Sequence, residues 1–462
     1  MALPPLDDTI AAIATAAGSG AIGVVRLSGP TAYEVADAVF RGASGARPSA
    51  VPAGRAVYGA VSQAGALIDE AVMLTFRAPR SYTGQDVVEL QSHGGPAVLR
   101  RVLDACLASG ARSAGPGEFT LRAYLNGRID LAQAEAVLDL VTASTDAARR
   151  NAALGLSGAL SRRLGEIQTD LTTAYAAVQA AFDYPEEGVE PARLAEPLAR
   201  AATAVDELLA TVEAGRLSRH GARLAVLGRP NAGKSSLLNA MLGYQRSLVS
   251  AMPGTTRDYL EAPMVIGGIP VTVIDTAGIR TASDHVEAGG VELSRSIARG
   301  ADLRLLLLDS SRPLGDEELE LLREVVNLAS GSGRSGAHTI YVASKSDLEP
   351  AWGEEELRPL IADAPLVRVS TVTATGLGAL QKLLAHELVG DVTGAELWIA
   401  NERHAQALLT VRDRLAGARD APHDVASLEL LEALNALAAV TGRDGVAEET
   451  LASIFANFCV GK

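Results

Sequence analysis

Leu224-Ala225-Val226-Leu227-Gly228-Arg229-Pro230-Asn231-Ala232-Gly233-Lys234-Ser235-Ser236-Leu237-Leu238-Asn239-Ala240 reads as a strand, a glycine-bounded loop and a helix in direct succession. This is a complete phosphate-binding loop. Its glycines let backbone N–H groups approach phosphate oxygens, and the helix that follows presents its positive end. Lys234 reaches the terminal phosphates of a nucleoside triphosphate, and Ser235 can ligate magnesium. An accidental glycine-rich turn would not place strand, loop and helix in this order.

Further along the chain, Val271-Thr272-Val273-Ile274 predicts a strand that ends in Asp275-Thr276-Ala277-Gly278. Asp275 can hold the magnesium shell, and the Gly278 amide can meet a γ-phosphate. Between the two motifs lies Gly254-Thr255-Thr256-Arg257-Asp258, whose Thr256 hydroxyl is placed to complete magnesium coordination in the triphosphate state. Read alone, that segment also admits a surface turn as the lesser reading. Base selectivity belongs to a strand-end Asn-Lys-x-Asp, which here is Ser344-Lys345-Ser346-Asp347, so one base contact is expected to be shorter or lost. Guanine is favoured over adenine, because a carboxylate facing adenine's edge would lack a donor, a mismatch of about 1–3 kcal/mol. The last base-binding loop follows the strand Leu366 to Ser370, and Ser370 to Gly376 offers two alignments. Ile279 occupies the position where many small GTPases carry a water-orienting Gln. Glu287 has suitable chemistry, with Asp284 and His285 as competitors, although residue type alone makes Glu287 a solvated charge.

The rest of the chain sets this unit in a larger protein. At 462 residues, several cores are expected. Residues 1–118 mix strand-like runs, Ala21–Leu27 and Ala71–Phe76, with a helix near Pro96–Ala108, an α+β pattern. Residues 119–218 are Ala/Leu-rich and helical, one helix opening at Asp130 with Gln133 returning a capping hydrogen bond. Apolar runs alternating with helices over 219–385 predict an α/β sheet, and 386–462 returns to helical spacing. The fold class is therefore multidomain α/β and α, with the α/β unit inserted between two helical parts. The stretch 331–336 reads as a flexible loop.

Composition narrows the function. A net charge of −14 argues against a general electrostatic grip on nucleic acid, so any RNA contact is local or partner-assisted. No uninterrupted run reaches the roughly 18 apolar residues of a membrane span, and Met1 to Asp8 does not look like a secretion signal. Two cysteines, Cys106 and Cys459, give no disulfide framework, so the cytoplasm is the expected compartment. The chain carries only four lysines, Lys234, Lys345, Lys382 and Lys462, and arginine supplies the remaining fixed positive charge, so each lysine invites a specific reason. Leu451, Ile454, Phe455 and Phe458 at helical spacing predict a final helix on a core, and Cys459 just beyond it reads as a small buried hydrophobe.

Segments along the whole chain resemble the MnmE family of tRNA-modification GTPases. These are Asp8-Thr9-Ile10, Gly23 to Gly29, Tyr82-Thr83-Gly84-Gln85-Asp86, His93-Gly94-Gly95-Pro96, Gly115 to Phe119, Leu131 to Ala136, the nucleotide motifs, and the terminal Phe458-Cys459-Val460-Gly461-Lys462. The resemblance implies a Ras-like G domain that binds GTP through Asn231, Ala232, Gly233, Lys234, Ser235 and Ser236, through Ser250, Ala251, Met252, Pro253, Gly254, Thr255 and Thr256, and through Asp275, Thr276, Ala277, Gly278, Ser344, Lys345 and Asp347. Magnesium would lie on Ser235 and Thr256. Potassium would lie on Asn231, Ser250, Met252 (through its carbonyl) and Thr255, replacing an arginine finger. In that setting Glu287 becomes the catalytic water-positioning residue.

The same resemblance implies an N-terminal domain similar to tetrahydrofolate-binding domains, used also for dimerisation. Arg26, Glu89, Arg128 and Lys462 would hold a one-carbon folate in its 5,10-methylene or 5-formyl form, with Cys459 as a reactive group nearby. A Glu can accept two parallel hydrogen bonds from a pterin, although Glu89 read alone is a strand-edge surface charge. Arg128 stands where the family often has Lys, and Ala16-Ala17 where it has two prolines. The resemblance further implies a homodimer working with an FAD-containing MnmG-type partner to add an aminomethyl or carboxymethylaminomethyl group at carbon 5 of a wobble uridine in tRNA. Neither Gly-x-Gly-x-x-Gly stretch of the chain, Gly18 to Gly23 or Gly331 to Gly336, leads from a strand into a helix as a dinucleotide fingerprint does, which puts the flavin on the partner. The rival reading is a regulatory GTPase switch that binds a ribosome or protein effector without one-carbon chemistry.

Overall fold

The computed structural model describes residues 5–183, 191–246, 261–275, 296–331, 338–390, 397–442 and 446–461. The chain divides into two compact units: Met1–Thr142 with Ala152–Ala202 and Thr410–Lys462, and Ala143–Asn151 with Thr203–Leu409.

In the first unit, β1 (Ile10–Ile13), β2 (Gly20–Ser28), β3 (Phe40–Gly42), β4 (Ala56–Gln63), β5 (Ala66–Phe76), β6 (Val87–Gly94) and β7 (Arg112–Ser113) form one sheet in the order β3-β4-β5-β6-β2-β1-β7. Neighbours are antiparallel except β1 and β7. Successive strand residues point to opposite faces. Val25, Leu27, Val61, Met73, Val88 and Leu90 accordingly turn one way, into a core with α1 (Ala32–Val39) and α2 (Pro96–Ala108). Arg26 and Glu89 turn the other way. The expected strands fall within β2 and β5. The latter begins earlier because a tight turn at Ala64-Gly65 folds residues 66–70 back onto β4 despite their mixed polarity. Cys106 lies in the α2 core, where burial pushes its thiol up to about 12.

Next come α3 (Glu118–Leu125), α4 (Leu131–Thr142), α5 (Asp146–Leu156) and α6 (Ala159–Asp183), followed by α7 (Pro191–Leu209) and α8 (Val212–His220). The predicted capping box opens α4: the Gln133 backbone N–H donates to Asp130 Oδ1 at 2.9 Å, and the Asp130 N–H to Gln133 Oε1 at 3.0 Å.

The second unit is built on β8 (Ala222–Leu227), β9 (Glu261–Ile266), β10 (Ile269–Asp275), β11 (Leu303–Asp309), β12 (His338–Ser344) and β13 (Leu366–Val369), ordered β13-β12-β11-β8-β10-β9. Only β9 runs antiparallel to its neighbour. The helices are α9 (Lys234–Arg246), α10 (Asp316–Gly331), α11 (Glu354–Ile361) and α12 (Leu377–Val389). One face packs on α8, α9 and α12, the other on α10 and α11. A sheet covered on both sides reads as an unbroken apolar run, which is why Leu305 to Leu308 does not alternate in polarity. The last helix of this core, α12, continues past residue 385 and buries Leu388 and Val389.

The C-terminal helices are α13 (Glu402–Arg419), α14 (His423–Thr441) and α15 (Glu448–Ala456). In the first unit, α14 packs along α6, each contributing buried residues at helical spacing: Ile167, Leu171, Ala174 and Val178 from one, Ala426, Leu430, Ala433 and Leu437 from the other. Leu451, Phe455 and Phe458 are buried with Leu121, Leu131 and Val137, and Ile454 packs partly against them, as their spacing predicts. Cys459 departs from its buried reading. It is exposed, because the tail beyond Phe458 is held by its backbone.

Candidate nucleotide and cofactor sites

The loop leaving β8 emerges at the C-terminal edge of a parallel sheet, beside the ends of β10 and β11, where such sheets bind ligands. Gly228 has φ +141°, and a β-carbon there would stand 2.7 Å from the Leu307 carbonyl oxygen, so the chain passes under β11 only without a side chain. Asn231, at φ +65°, is exposed, as are Ser235 and Ser236 at the start of α9. Ala232 is buried, and Gly233 stands in open space. Lys234 is also buried, and its ammonium donates to the carbonyls of Gly228 (2.5 Å) and Arg229 (2.7 Å), lying folded across the loop. Asp275 ends β10 opposite Val226 of β8, which sets its backbone beside the strand that feeds the loop.

At the base side, Ser344 is buried at the end of β12. Its hydroxyl reaches the carbonyl oxygens of Ala232 at 2.7 Å and Leu308 at 3.1 Å. The residue in the asparagine's place thus ties β12 to the phosphate-binding loop. Lys345, with φ +58°, donates to Asp309 Oδ2 at 2.6 Å, and Asp347 is exposed. Burial alone would raise the Asp309 carboxyl, but hydrogen bonds from Lys345 and Ser311 hold it below the usual carboxylate range. In the loop after β13, the Ser370 hydroxyl accepts from the N–H groups of Val372 and Thr373, and Ala374 has φ +59°. Ser250, Ala251, Met252, Pro253, Gly254, Thr255, Thr256, Thr276, Ala277, Gly278, Asp284, His285, Glu287 and Lys462 lie outside the described residues, as do 332–336.

Sequence reasoning did not find Asp309 or the loop's arginine clamp. Arg229 pairs with Glu318 of α10 at 3.0 Å and also with Glu317. For Asp309 a signal existed, since it ends the apolar run Leu305–Leu308 at the same sheet edge as the loop.

In the first unit, Arg26 and Glu89 are direct cross-strand partners on β2 and β6, joined by a 2.8 Å ion pair. Glu89 is therefore on a central strand, with β5 and β2 on either side, and the strand-edge reading is corrected. The Arg26 guanidinium lies 5.7 Å from the ring centroids of both Tyr82 and Phe119, a cation–π arrangement. Tyr82 shares a 2.8 Å hydrogen bond with Thr120, and burial raises its phenol above the ordinary value. Arg128 is exposed and donates to the Ser81 carbonyl at 3.3 Å, next to Tyr82 in the chain.

The C-terminal tail comes to the same place. Val460 bridges Pro116, the Gly117 N–H donates to the Cys459 carbonyl at 3.3 Å, and Arg26 Nη1 donates to the Gly461 carbonyl at 3.4 Å. Gly117 has φ +64°, and a β-carbon there would approach Phe455 and Phe458 to 2.9 Å, so this residue lets the tail close on the sheet. Arg26, Glu89 and the segment carrying Cys459 are thus brought together.

A parallel sheet edged by a phosphate-binding loop, a strand-end Lys-x-Asp and a β9–β10 hairpin defines a P-loop GTPase. Residues 9–128 match the family described as "GTP-binding protein TrmE N-terminus", and residues 131–459 match "MnmE helical domain". A tRNA modification GTPase MnmE of Thermus thermophilus is 50% identical over 459 residues, covering 99% of this chain and 100% of its own. That of Roseiflexus sp. (strain RS-1) is 43% identical over 472 residues, with 99% of each chain covered. That of Clostridioides difficile (strain 630) is 38% identical over 467 residues, covering 99% and 100%. The chain belongs to the MnmE family of tRNA modification GTPases.

Proposed function

We propose that this chain hydrolyses GTP to drive modification of carbon 5 of a wobble uridine in tRNA, acting as a homodimer with an FAD-containing MnmG-type partner in the cytoplasm. The juxtaposition of Arg26, Glu89 and the tail bearing Cys459 carries the reading, because a simple nucleotide switch needs no such cluster. Family membership supports the tRNA as substrate, and among the described residues no helix is long and apolar enough to cross a membrane.

The donor set fits a one-carbon tetrahydrofolate. Glu89 Oε1 holds Arg26, while Oε2 has no hydrogen-bond partner among the described residues and can accept from a pterin's N–H groups. Arg128 and Lys462 complete the proposed folate set, and the folate supplies the carbon that is transferred. Cys459, exposed beside this cluster, is the proposed reactive thiol.

In the G domain, Lys234 is proposed to leave the carbonyls of Gly228 and Arg229 for the β- and γ-phosphates, and Ser235, Thr256 and Asp275 to hold magnesium. Asn231, Ser250, Met252 and Thr255 form the proposed potassium shell, whose ion supplies transition-state charge stabilisation. Glu287 orients the attacking water.

The test is mass spectrometry of tRNA nucleosides after incubation with GTP, the flavin partner and a one-carbon folate. For Glu89→Gln, uridine modification is expected to be lost while GTP turnover persists. Modification by this variant at the wild-type rate would remove the folate cluster from the mechanism and favour the regulatory switch.

A further inference from the structure

We infer that this chain binds guanine nucleotide with no contact to N7 of the base, its base-side Ser-Lys-Ser-Asp segment reading the purine through the N1 and 2-amino edge. The inference rests on the GTP-binding reading of the same site. Ser344 stands where the Asn-Lys-x-Asp pattern has asparagine. An asparagine amide carries two N–H donors, so it can hold a backbone carbonyl and still donate to a base acceptor. A serine hydroxyl has one proton.

Here that hydroxyl is buried, and two carbonyl oxygens already compete for its proton, Ala232 at 2.7 Å and Leu308 at 3.1 Å. N7 of guanine is an acceptor, so contact with it requires a donor. Turning the Ser344 hydroxyl toward the base would break the tie between β12 and the phosphate-binding loop, at the cost of a buried hydrogen bond. Two neighbouring donors are engaged elsewhere. The Lys345 ammonium is held by Asp309 at 2.6 Å, and the Ser346 N–H donates to the Val369 carbonyl at 3.2 Å. Asp347 is an acceptor and exposed, which suits N1–H and the 2-amino group but not N7. The substitution therefore keeps the strand-to-loop link and removes the base contact.

Replacing N7 of GTP by C–H, in 7-deaza-GTP, tests this by titration calorimetry on the full chain with magnesium. Wild-type Kd values for GTP and 7-deaza-GTP are expected to agree within about twofold. In Ser344→Asn, GTP is expected to bind roughly three- to tenfold tighter while 7-deaza-GTP gains nothing. A wild-type preference for GTP over 7-deaza-GTP of about fivefold or more would overturn the inference, and this comparison needs no variant to fold. Equal binding of ATP and GTP would overturn the guanine reading itself, and the inference with it.

Discussion

Lys234→Ala is expected to reduce kcat/KM for GTP on the order of a thousandfold, about 4 kcal/mol of transition-state stabilisation. The lysine is buried, and its ammonium is held at the loop by the backbone carbonyls of Gly228 and Arg229. A triphosphate offers that ammonium a far stronger acceptor, with charge that grows during transfer. Lys234→Arg is expected to fail nearly as badly, since a planar guanidinium is larger than the point charge the loop encloses. Steady-state turnover with GTP checks both variants. Their nucleotide-free melting curves should match the wild type closely, because these two hydrogen bonds lie within one loop. A variant retaining a tenth or more of wild-type kcat/KM would remove Lys234 from the phosphate site.

The second large effect concerns stability of the first unit. Arg122 and Glu118 are each 1% exposed, four residues apart on α3, and joined at 2.9 Å. Arg122 also holds Asp8 at 2.6 Å, and Arg112 bonds both Glu118 (2.6 Å) and Asp8 (2.5 Å). Removing Arg122 takes away one of the two guanidinium partners of the buried Glu118 and of Asp8, leaving Arg112 to compensate both. Arg122→Ala is therefore expected to destabilise by about 2–3 kcal/mol in chemical denaturation, the loss of charged hydrogen bonds at a buried site. Arg100→Ala, at an exposed pair with Asp104, should change little.

The network also sets an acid limit. Burial works to raise the Glu118 and Asp8 carboxyls, but Arg112 and Arg122, with the Gly115 N–H at Glu118, hold both below their ordinary values of 4.5 and 3.8. A depressed folded-state value means the stabilisation is full above those ordinary values and lost as pH falls through the folded ones. The stability difference between wild type and Arg122→Ala should therefore be widest near neutrality and shrink below about pH 4. A difference unchanged down to pH 3 would contradict the assignment.

What is legible in the sequence is local. The phosphate-binding loop is a contiguous strand, loop and helix, the α4 capping box spans three residues, and the apolar spacing of α15 is read within two turns. The pairing of Arg26 with Glu89 is beyond such reading, because it depends on β2 and β6 lying side by side across 63 residues of chain. Likewise, nothing near Pro116 announces that Val460 will bridge it. The buried reading of Cys459 rests on residue type, and it fails because past Phe458 the chain changes from a packed helix to a tail held by its backbone. At Ser344 the substitution is visible and its consequence is not, since the competing acceptors come from the phosphate-binding loop and β11.

In a GTPase of the MnmE type as proposed above, a monovalent cation held by Asn231 takes the place of an arginine finger. GTP turnover in potassium against sodium at matched ionic strength, for wild type and Asn231→Ala, tests this most directly. Stimulation by potassium in the wild type and its loss in the variant are expected; equal wild-type rates in both salts would contradict a cation-activated mechanism.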